Sequence, residues 1–148
     1  MNIATHSIAL LAAVLPLHMT AYAADNLTPG TVMMTADAIT FVPQAPGSAV
    51  QVAKLWGNRD TGPYAMLLKF PGGYAGRDHS HTADYNGITI KGIWIHTVGN
   101  EKKELPVGSY VRQVGKEIHS DACKGPEECI VLVHQDGRGD YIPAAHNH

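Results

Sequence analysis

Residues 79–97 read HSHTADYNGITIKGIWIHT, and this stretch carries the clearest structural signal in the chain. Apolar and polar side chains alternate over Ile88–Thr97, which is typical of a β-strand with one buried face. The Asn86-Gly87 dipeptide before it is a strong signal for a tight turn. His79 and His81 are two positions apart, so in an extended chain both imidazoles project from the same face. The stretch therefore predicts a sheet with a histidine pair on one face.

The rest of the chain also follows a period of two, and we find no long stretch with helical periodicity. Fifteen glycines and nine prolines provide frequent turns, which favours short strands. Short strands at this spacing are typical of a β-sandwich or barrel rather than a βαβ fold. The other predicted strands are Thr31–Thr35, Ile39–Val42, Ala49–Trp56, Pro63–Phe70, Pro106–Gln113, Ile130–Gln135 and Asp140–Ile142.

The composition fits one globular domain. The chain has 148 residues, of which 45% are hydrophobic and 16% charged, so it has enough apolar side chains to build a core. The net charge is −2 and no basic run is present, so we expect no nucleic-acid partner. Nine histidines stand out in a chain of this length, because histidine is the commonest metal ligand.

Residues 1–23 have the pattern of a secretory signal peptide, with an apolar run over Ile8–Leu17 and the small-x-small sequence Ala21-Tyr22-Ala23. The run is too short to span a bilayer, which takes about 20 apolar residues. We predict cleavage after Ala23, a domain over residues 24–148, a periplasmic or secreted location, and no membrane association after cleavage. Alternatively the segment is a hydrophobic strand or helix of the domain, since it lacks the usual basic residue.

Cys123 and Cys129 are the two cysteines of the chain. An even number of cysteines in an exported protein suggests a disulfide. The intervening KGPEE reads as a turn, so a bridge across the neck of a hairpin is geometrically feasible. Two free thiols are the alternative. A metal role is less favoured, because thiolate ligands would need protection from oxidation.

A third histidine, His119, supports the prediction of a metal site. Glycine in Gly115-Lys-Glu-Ile-His119 permits a tight reversal, and His119 then stands at the entry to the next strand. Three neutral imidazoles converging from two segments would hold a divalent ion and leave coordination positions open. We therefore predict His79, His81 and His119 as the metal ligands.

These residues resemble the two motifs of the cupin superfamily, in the order Gly72, His79-x-His81, Gly92, Pro106-x-Gly108 and Gly115-x3-His119. The resemblance implies a jelly-roll β-barrel with a metal ion at its centre, so the predicted fold is an all-β, single-domain cupin. Within the superfamily the chain looks most similar to small cupins of the anti-sigma-factor type and to the acetylacetone-cleaving dioxygenase type.

One position departs from the superfamily pattern. The usual first motif has a glutamate four or five residues after the second histidine, where this chain has Tyr85 and Asn86. The resemblance therefore implies a three-histidine site for Fe(II), and Zn, Mn, Ni or Cu are alternatives because imidazole suits several of these ions. Asp84 could substitute as a ligand if a bulge turned its side chain inward. Tyr85 could instead hydrogen-bond to a ligand in the site.

Acid–base candidates lie close to the predicted ligands. They are Tyr85, Asp84, and the two carboxylates that stand two residues from His119, namely Glu117 and Asp121. An extended backbone would put both carboxylates on the His119 face, although a solvated carboxylate is the default for each. Arg77 and Arg112 could bind an anionic substrate, with a surface position as the alternative.

Two further histidines are predicted to contact the ligand histidines and to orient their rings. His134 shares a face with Ile130 and Leu132, which we expect to point into the barrel. His96 ends a predicted strand with Trp94 on the same face and could line the cavity. A packed histidine satisfied by neighbouring groups is the alternative for both positions.

Three functions remain open from the sequence. The first is a mononuclear metalloenzyme of dioxygenase type that acts on a small chelating substrate. The second is an isomerase or lyase in which the ion acts only as a Lewis acid. The third is a non-catalytic periplasmic cupin that binds a metal or small ligand. A homodimer is also expected, because the exposed sheet edges of a small cupin are often covered by a partner.

Overall fold

The computed structural model describes residues 30–145, so the predicted signal peptide lies outside the described residues. Within that range no helix has the length and apolar character needed to cross a membrane. The chain forms a 3-10 helix over Ala36–Ala38 and a succession of strands. These are β1 Val42–Pro43, β2 Gln51–Gly57, β3 Tyr64–Phe70, β4 His79–Ser80, β5 Tyr85–Lys91, β6 Trp94–Val98, β7 Glu101–Leu105, β8 Tyr110–Gln113, β9 His119–Cys123, β10 Cys129–Gln135 and β11 Ile142–Pro143.

The strands form two antiparallel sheets whose inner faces share one core. The larger sheet has the order β1-β2-β3-β10-β5-β8, and the smaller sheet has the order β11-β4-β9-β6-β7. Buried side chains from both sheets pack between them, which is the arrangement of a jelly roll. The all-β, single-domain fold predicted from the sequence is confirmed.

The predicted strand Ile88–Thr97 is wrong as a single element. The structure divides it into β5, in the larger sheet, and β6, in the smaller one. The chain changes sheets at Gly92, which has a φ of 72°. A Cβ at this position would lie 2.6 Å from the carbonyl oxygen of Glu128. The crossing therefore needs a residue that tolerates a left-handed backbone and has no side chain.

The Asn86-Gly87 dipeptide lies inside β5 and does not form the predicted turn. The indole of Trp94 packs where a side chain at position 87 would stand, since a Cβ there would lie 2.9 Å from the ring. Trp94 is only 2% exposed, and it belongs to the opposite sheet. The glycine at this position therefore serves close packing between the sheets rather than chain reversal.

Strand prediction was weakest at the ends of the described chain and at one sheet edge. Residues 31–35 form no strand, and only Val42 of the predicted Ile39–Val42 is part of β1. β7 was not predicted, because its sequence EKKEL is almost entirely charged and exposed. It pairs with β6 on one side and forms the free edge of the smaller sheet. Charged residues are common on such edges, where they oppose pairing with another chain.

Cys123 and Cys129 form a disulfide, with their Cα atoms 5.7 Å apart. Cys123 is the last residue of β9 and Cys129 is the first residue of β10. These strands belong to different sheets, so the bridge links the two halves of the barrel beside the core. Both cysteines are buried.

Candidate metal centre

The three predicted ligands lie together on the smaller sheet. His79 begins β4 and is the direct antiparallel partner of His119, which begins β9. His81 follows β4 and is two residues from His79, so the alternation of the extended chain turns both rings to one side. His79 and His119 are 7% and 1% exposed, and His81 is half-buried. One ring nitrogen from each of the three lies within 4.8 Å of the others.

Backbone carbonyl groups fix the orientation of all three rings. The Nδ1 atom of His79 lies 2.9 Å from the carbonyl oxygen of Arg77, and that of His119 lies 3.1 Å from the oxygen of Glu117. The Nδ1 atom of His81 lies 2.5 Å from the oxygen of Asp140. A carbonyl oxygen only accepts hydrogen bonds, so each Nδ1 carries the proton in a neutral ring. Each Nε2 therefore keeps a lone pair for a metal ion.

Burial keeps two of the rings neutral. Loss of water around His119 lowers its pKa from 6.5 to about 4. Burial likewise lowers the pKa of His81. Neutral imidazole is the form that binds metals. The residues present therefore fit a divalent cation, both in the chemistry of the donors and in the tautomer of each ring.

Tyr85 lies against the histidine cluster, in the place of the glutamate of the usual motif. Its side chain is buried, and its hydroxyl group lies 3.4 Å from Nε2 of His119. Burial raises the pKa of this hydroxyl well above 10, so it remains a neutral hydrogen-bond donor at physiological pH. The structure thus brings Tyr85 to the site, as the sequence predicted, although as a donor and not as a general base.

Asp121 lies at the site, whereas the sequence favoured a solvated position for this carboxylate. It lies on the His119 face of β9, and its side chain is 13% exposed. Its Oδ1 atom accepts hydrogen bonds of 2.8 Å from Nε1 of Trp94 and from Nδ1 of His96. Burial acts to raise the pKa of the carboxyl, but the interactions with His96 and the ligand histidines outweigh it and lower the pKa below 3.8. Asp121 is therefore an anion beside the three imidazoles.

His96 stands beside the three histidines, and both of its ring nitrogens have hydrogen-bond partners. Nδ1 contacts Asp121, and Nε2 lies 2.9 Å from Oε1 of Gln113. The ring centroid lies 5.2 Å from that of His119. Burial acts to lower the pKa of His96, but the Asp121 carboxylate and Gln113 raise it above 6.5. Its contact with Asp121 makes it a positioning residue for that carboxylate.

Asp84 and Glu117 lie away from the centre, which corrects their prediction as catalytic groups. Asp84 accepts hydrogen bonds from the guanidinium of Arg112, at 2.5 Å, and from the backbone of Gly115, at 2.8 Å. No bulge turns it inward, because these partners hold it near the surface. Glu117 is exposed, and only its backbone oxygen reaches His119.

The predicted role of His134 is wrong. On β10 the buried positions are Cys129, Val131, Val133 and Gln135, so His134 points to the outer face. Its ring lies 5.6 Å from that of Trp56, and its Nε2 lies 3.7 Å from Asp136. Both faces of this strand are apolar in sequence, because β10 lies in the middle of the larger sheet. Alternation alone therefore did not identify the inner face.

A cavity of about 80 Å³ opens onto His79 and His81, two of the three histidines. It is larger than the roughly 10–15 Å³ that one water molecule needs. Its wall is mostly apolar and includes Met66, Leu68 and Trp94, and Asp121 also lines it. Two arginines, Arg59 and Arg77, reach it as well. Arg112, the other predicted anion-binding residue, instead pairs with Asp84 outside the cavity.

Tyr141 is the other tyrosine beside the histidines, and the sequence did not indicate its presence there. Its ring stacks on that of His79, with the centroids 4.4 Å apart and the planes inclined by 19°. It follows Asp140, whose carbonyl group orients His81. The C-terminal part of the described chain therefore returns to cover the histidines, and sequence distance gave no hint of this contact.

The two sheets, the inward histidines and the cavity define a cupin-type barrel, and comparison with known proteins agrees. The family model of the ChrR cupin-like domain matches residues 29–137. This chain therefore belongs to the ChrR cupin-like domain family. A comparison with curated proteins finds no match.

Solved structures share the fold with little sequence identity. An RmlC-like cupin from Ralstonia eutropha is 24% identical, with a TM-score of 0.62, and the match covers 76% of this chain and 72% of the other. KdgF from Halomonas sp. is 20% identical, with a TM-score of 0.59 and coverage of 70% and 94%. The polyketide cyclase RemF from Streptomyces resistomycificus is 11% identical, with a TM-score of 0.66 and coverage of 80% and 89%. At these identities the comparison shows the fold alone.

Proposed function

We propose that the protein is a mononuclear metalloenzyme of dioxygenase type, in which His79, His81 and His119 hold one divalent ion, with Fe(II) expected. The observation that carries this proposal is the set of three Nε2 atoms, each freed by an Nδ1 contact to a backbone carbonyl, beside a mostly apolar cavity. When bound, such an ion supplies Lewis-acid or one-electron chemistry to a chelating substrate.

The residues around the histidines favour a small, partly apolar substrate with an anionic group. The mostly apolar wall suits the body of such a substrate. Arg59 and Arg77 place positive charge along the cavity, and neither takes part in an ion pair among the described residues. The Tyr85 hydroxyl, 3.4 Å from Nε2 of His119 in the metal-free protein, would be free to donate to the substrate once that nitrogen binds the ion. A small β-diketone enolate, thiol or phenolate has the required chemistry.

The experiment is metal analysis followed by oxygen uptake. We expect the purified protein to retain about one divalent ion per chain, and the Fe(II)-loaded protein to consume oxygen with a diketone, thiol or phenolic substrate. The His119→Ala variant should lose both properties. His134→Ala is the matched control, because its ring lies on the outer face, and it should keep both. Metal retention by the His119→Ala variant would contradict the ligand assignment.

A Lewis-acid isomerase or lyase is the second candidate. Three neutral ligands leave the full charge of the ion available to polarise a substrate, which favours chemistry that does not need oxygen. Turnover under anaerobic conditions would support this candidate over the dioxygenase. If binding is saturable and the ligand is recovered unchanged under both aerobic and anaerobic conditions, the protein is instead a binding protein.

Export to the periplasm or the cell exterior is part of the proposal. The pattern of residues 1–23 supports it, as does the Cys123–Cys129 disulfide, because such bridges persist in oxidising compartments. Sequencing of the mature N-terminus should begin at Ala24. We also propose a homodimer, and light scattering at the mass of a single mature chain would contradict it.

A further inference from the structure

Two hydrogen-bond acceptors face each other inside the candidate metal centre. Nε2 of His79 lies 3.9 Å from Oδ2 of Asp121. The Nδ1–H group of His79 donates to the carbonyl oxygen of Arg77, so a neutral ring presents only a lone pair at Nε2. The opposing carboxylate oxygen is also an acceptor. A cation between the two atoms would satisfy both.

The two oxygens of Asp121 have different surroundings. Oδ1 accepts the Trp94 indole N–H and the His96 ring N–H, each at 2.8 Å. Oδ2 accepts no hydrogen bond from any described residue, although the side chain is only 13% exposed and lines the cavity. A carboxylate in a mostly buried side chain is stabilised when a cation pairs with its free oxygen. The contacts at Oδ1 fix the carboxylate so that Oδ2 faces Nε2 of His79.

From this geometry we infer that Asp121 is a fourth ligand of the ion and supplies one negative charge through Oδ2. The inference rests on the metal binding proposed above. In the usual motif the carboxylate ligand follows the first two histidines, where this chain has Tyr85. Here the carboxylate ligand would instead come from β9, the strand that also carries His119. Trp94 and His96 become positioning residues for this ligand. The resulting set of three nitrogens and one oxygen leaves fewer open positions than three histidines do.

Co(II) titration of the full chain tests the inference with a readout other than activity. We expect Asp121→Asn to weaken Co(II) binding by at least about tenfold and to change the energies and intensities of the visible Co(II) bands, because an anionic oxygen leaves the coordination sphere. Asp84→Asn is the matched control, since Asp84 pairs with Arg112 away from the site, and it should reproduce the wild-type spectrum. A wild-type spectrum from Asp121→Asn would overturn the inference.

Infrared difference spectroscopy of the wild-type protein gives a second test that does not depend on folding of the variant. Protein labelled with ¹³C at the aspartate carboxylates is compared before and after addition of Zn(II). Coordination by Asp121 predicts a shift in the splitting of the carboxylate stretches of one aspartate. Zn(II) binding without any aspartate shift would refute the fourth ligand and leave the three-histidine site intact. Absence of metal binding by the wild-type protein would instead refute the proposed function.

Discussion

At the scale of single residues, the centre depends on backbone carbonyl groups as much as on histidines. The carbonyls of Arg77, Glu117 and Asp140 each accept the Nδ1 proton of one ring. Two of these carbonyls lie two residues before the histidine that they orient, so a local extended backbone is enough to set the tautomer. The third comes from a distant loop. The sequence therefore identified the histidines but did not indicate which groups orient their rings.

His119 should make the metal-free protein less stable in acid. Its ordinary pKa of 6.5 applies to the unfolded chain, whereas burial lowers it to about 4 in the folded protein. Between these values the unfolded state binds a proton that the folded state does not, so the free energy of unfolding falls as the pH falls. From pH 7 to pH 4.5 this loss is on the order of 2–3 kcal/mol.

Urea denaturation of the metal-free wild type and of His119→Gln checks this prediction. The glutamine variant does not take up this proton, so it should lose less stability on acidification than the wild type. Parallel stability curves for the two proteins between pH 7 and pH 4.5 would show that burial of His119 does not oppose its protonation.

At the scale of strands, two features decided what could be predicted. Alternation located most of the strands, because each packs one face on the core. It could not tell which face of β10 points inward, since Ile130 and Leu132 are as apolar as Val131 and Val133. The crossing at Gly92 was missed for a different reason. A glycine is required there because the backbone of Glu128, more than 30 residues away in sequence, approaches closely. The local sequence pattern carries no information about such a contact.

Gly92→Ala should destabilise the protein more than Gly99→Ala. Both glycines have positive φ, at 72° and 56°, so both substitutions strain the backbone by about 1 kcal/mol. Only at position 92 would the new Cβ also lie 2.6 Å from the carbonyl oxygen of Glu128, whereas nothing lies within 4 Å of it at position 99. The extra clash should cost on the order of 1–3 kcal/mol. Thermal unfolding of both variants measures the difference, and equal losses would contradict the packing explanation.

At the scale of the whole molecule, the barrel is two sheets joined by short connections and by one disulfide. The core between the sheets includes both cysteines of that link. The even number of cysteines and the turn between them predicted the disulfide. The structure shows that this disulfide joins the end of β9 to the start of β10. The general architecture was predictable because motif spacing and alternation agree. Contacts made by the returning C-terminal segment, such as Tyr141 on His79, required the structure.

Reduction of the disulfide should lower the stability of the whole barrel by about 2 kcal/mol, as expected for a short closed loop. The free energy of unfolding is measured in urea with and without a reductant. The double variant Cys123→Ala, Cys129→Ala should show no effect of reductant. An equally large effect of reductant on the wild type and on this variant would mean that the bridge is not the cause.

The charged edge strand β7 also bears on how copies of the barrel meet. In a fully overlapped antiparallel pairing of two such strands, Lys103 would stand opposite Lys103 of the other copy. The four exposed charged side chains of the strand also oppose the pairing of this edge with another chain. The other sheet ends at β8, where Tyr110 and the nearby Val107 are 58% and 64% exposed. We therefore expect crowded solutions of the protein to resist fibre growth through β7, and we expect the proposed homodimer to use the rim formed by β8.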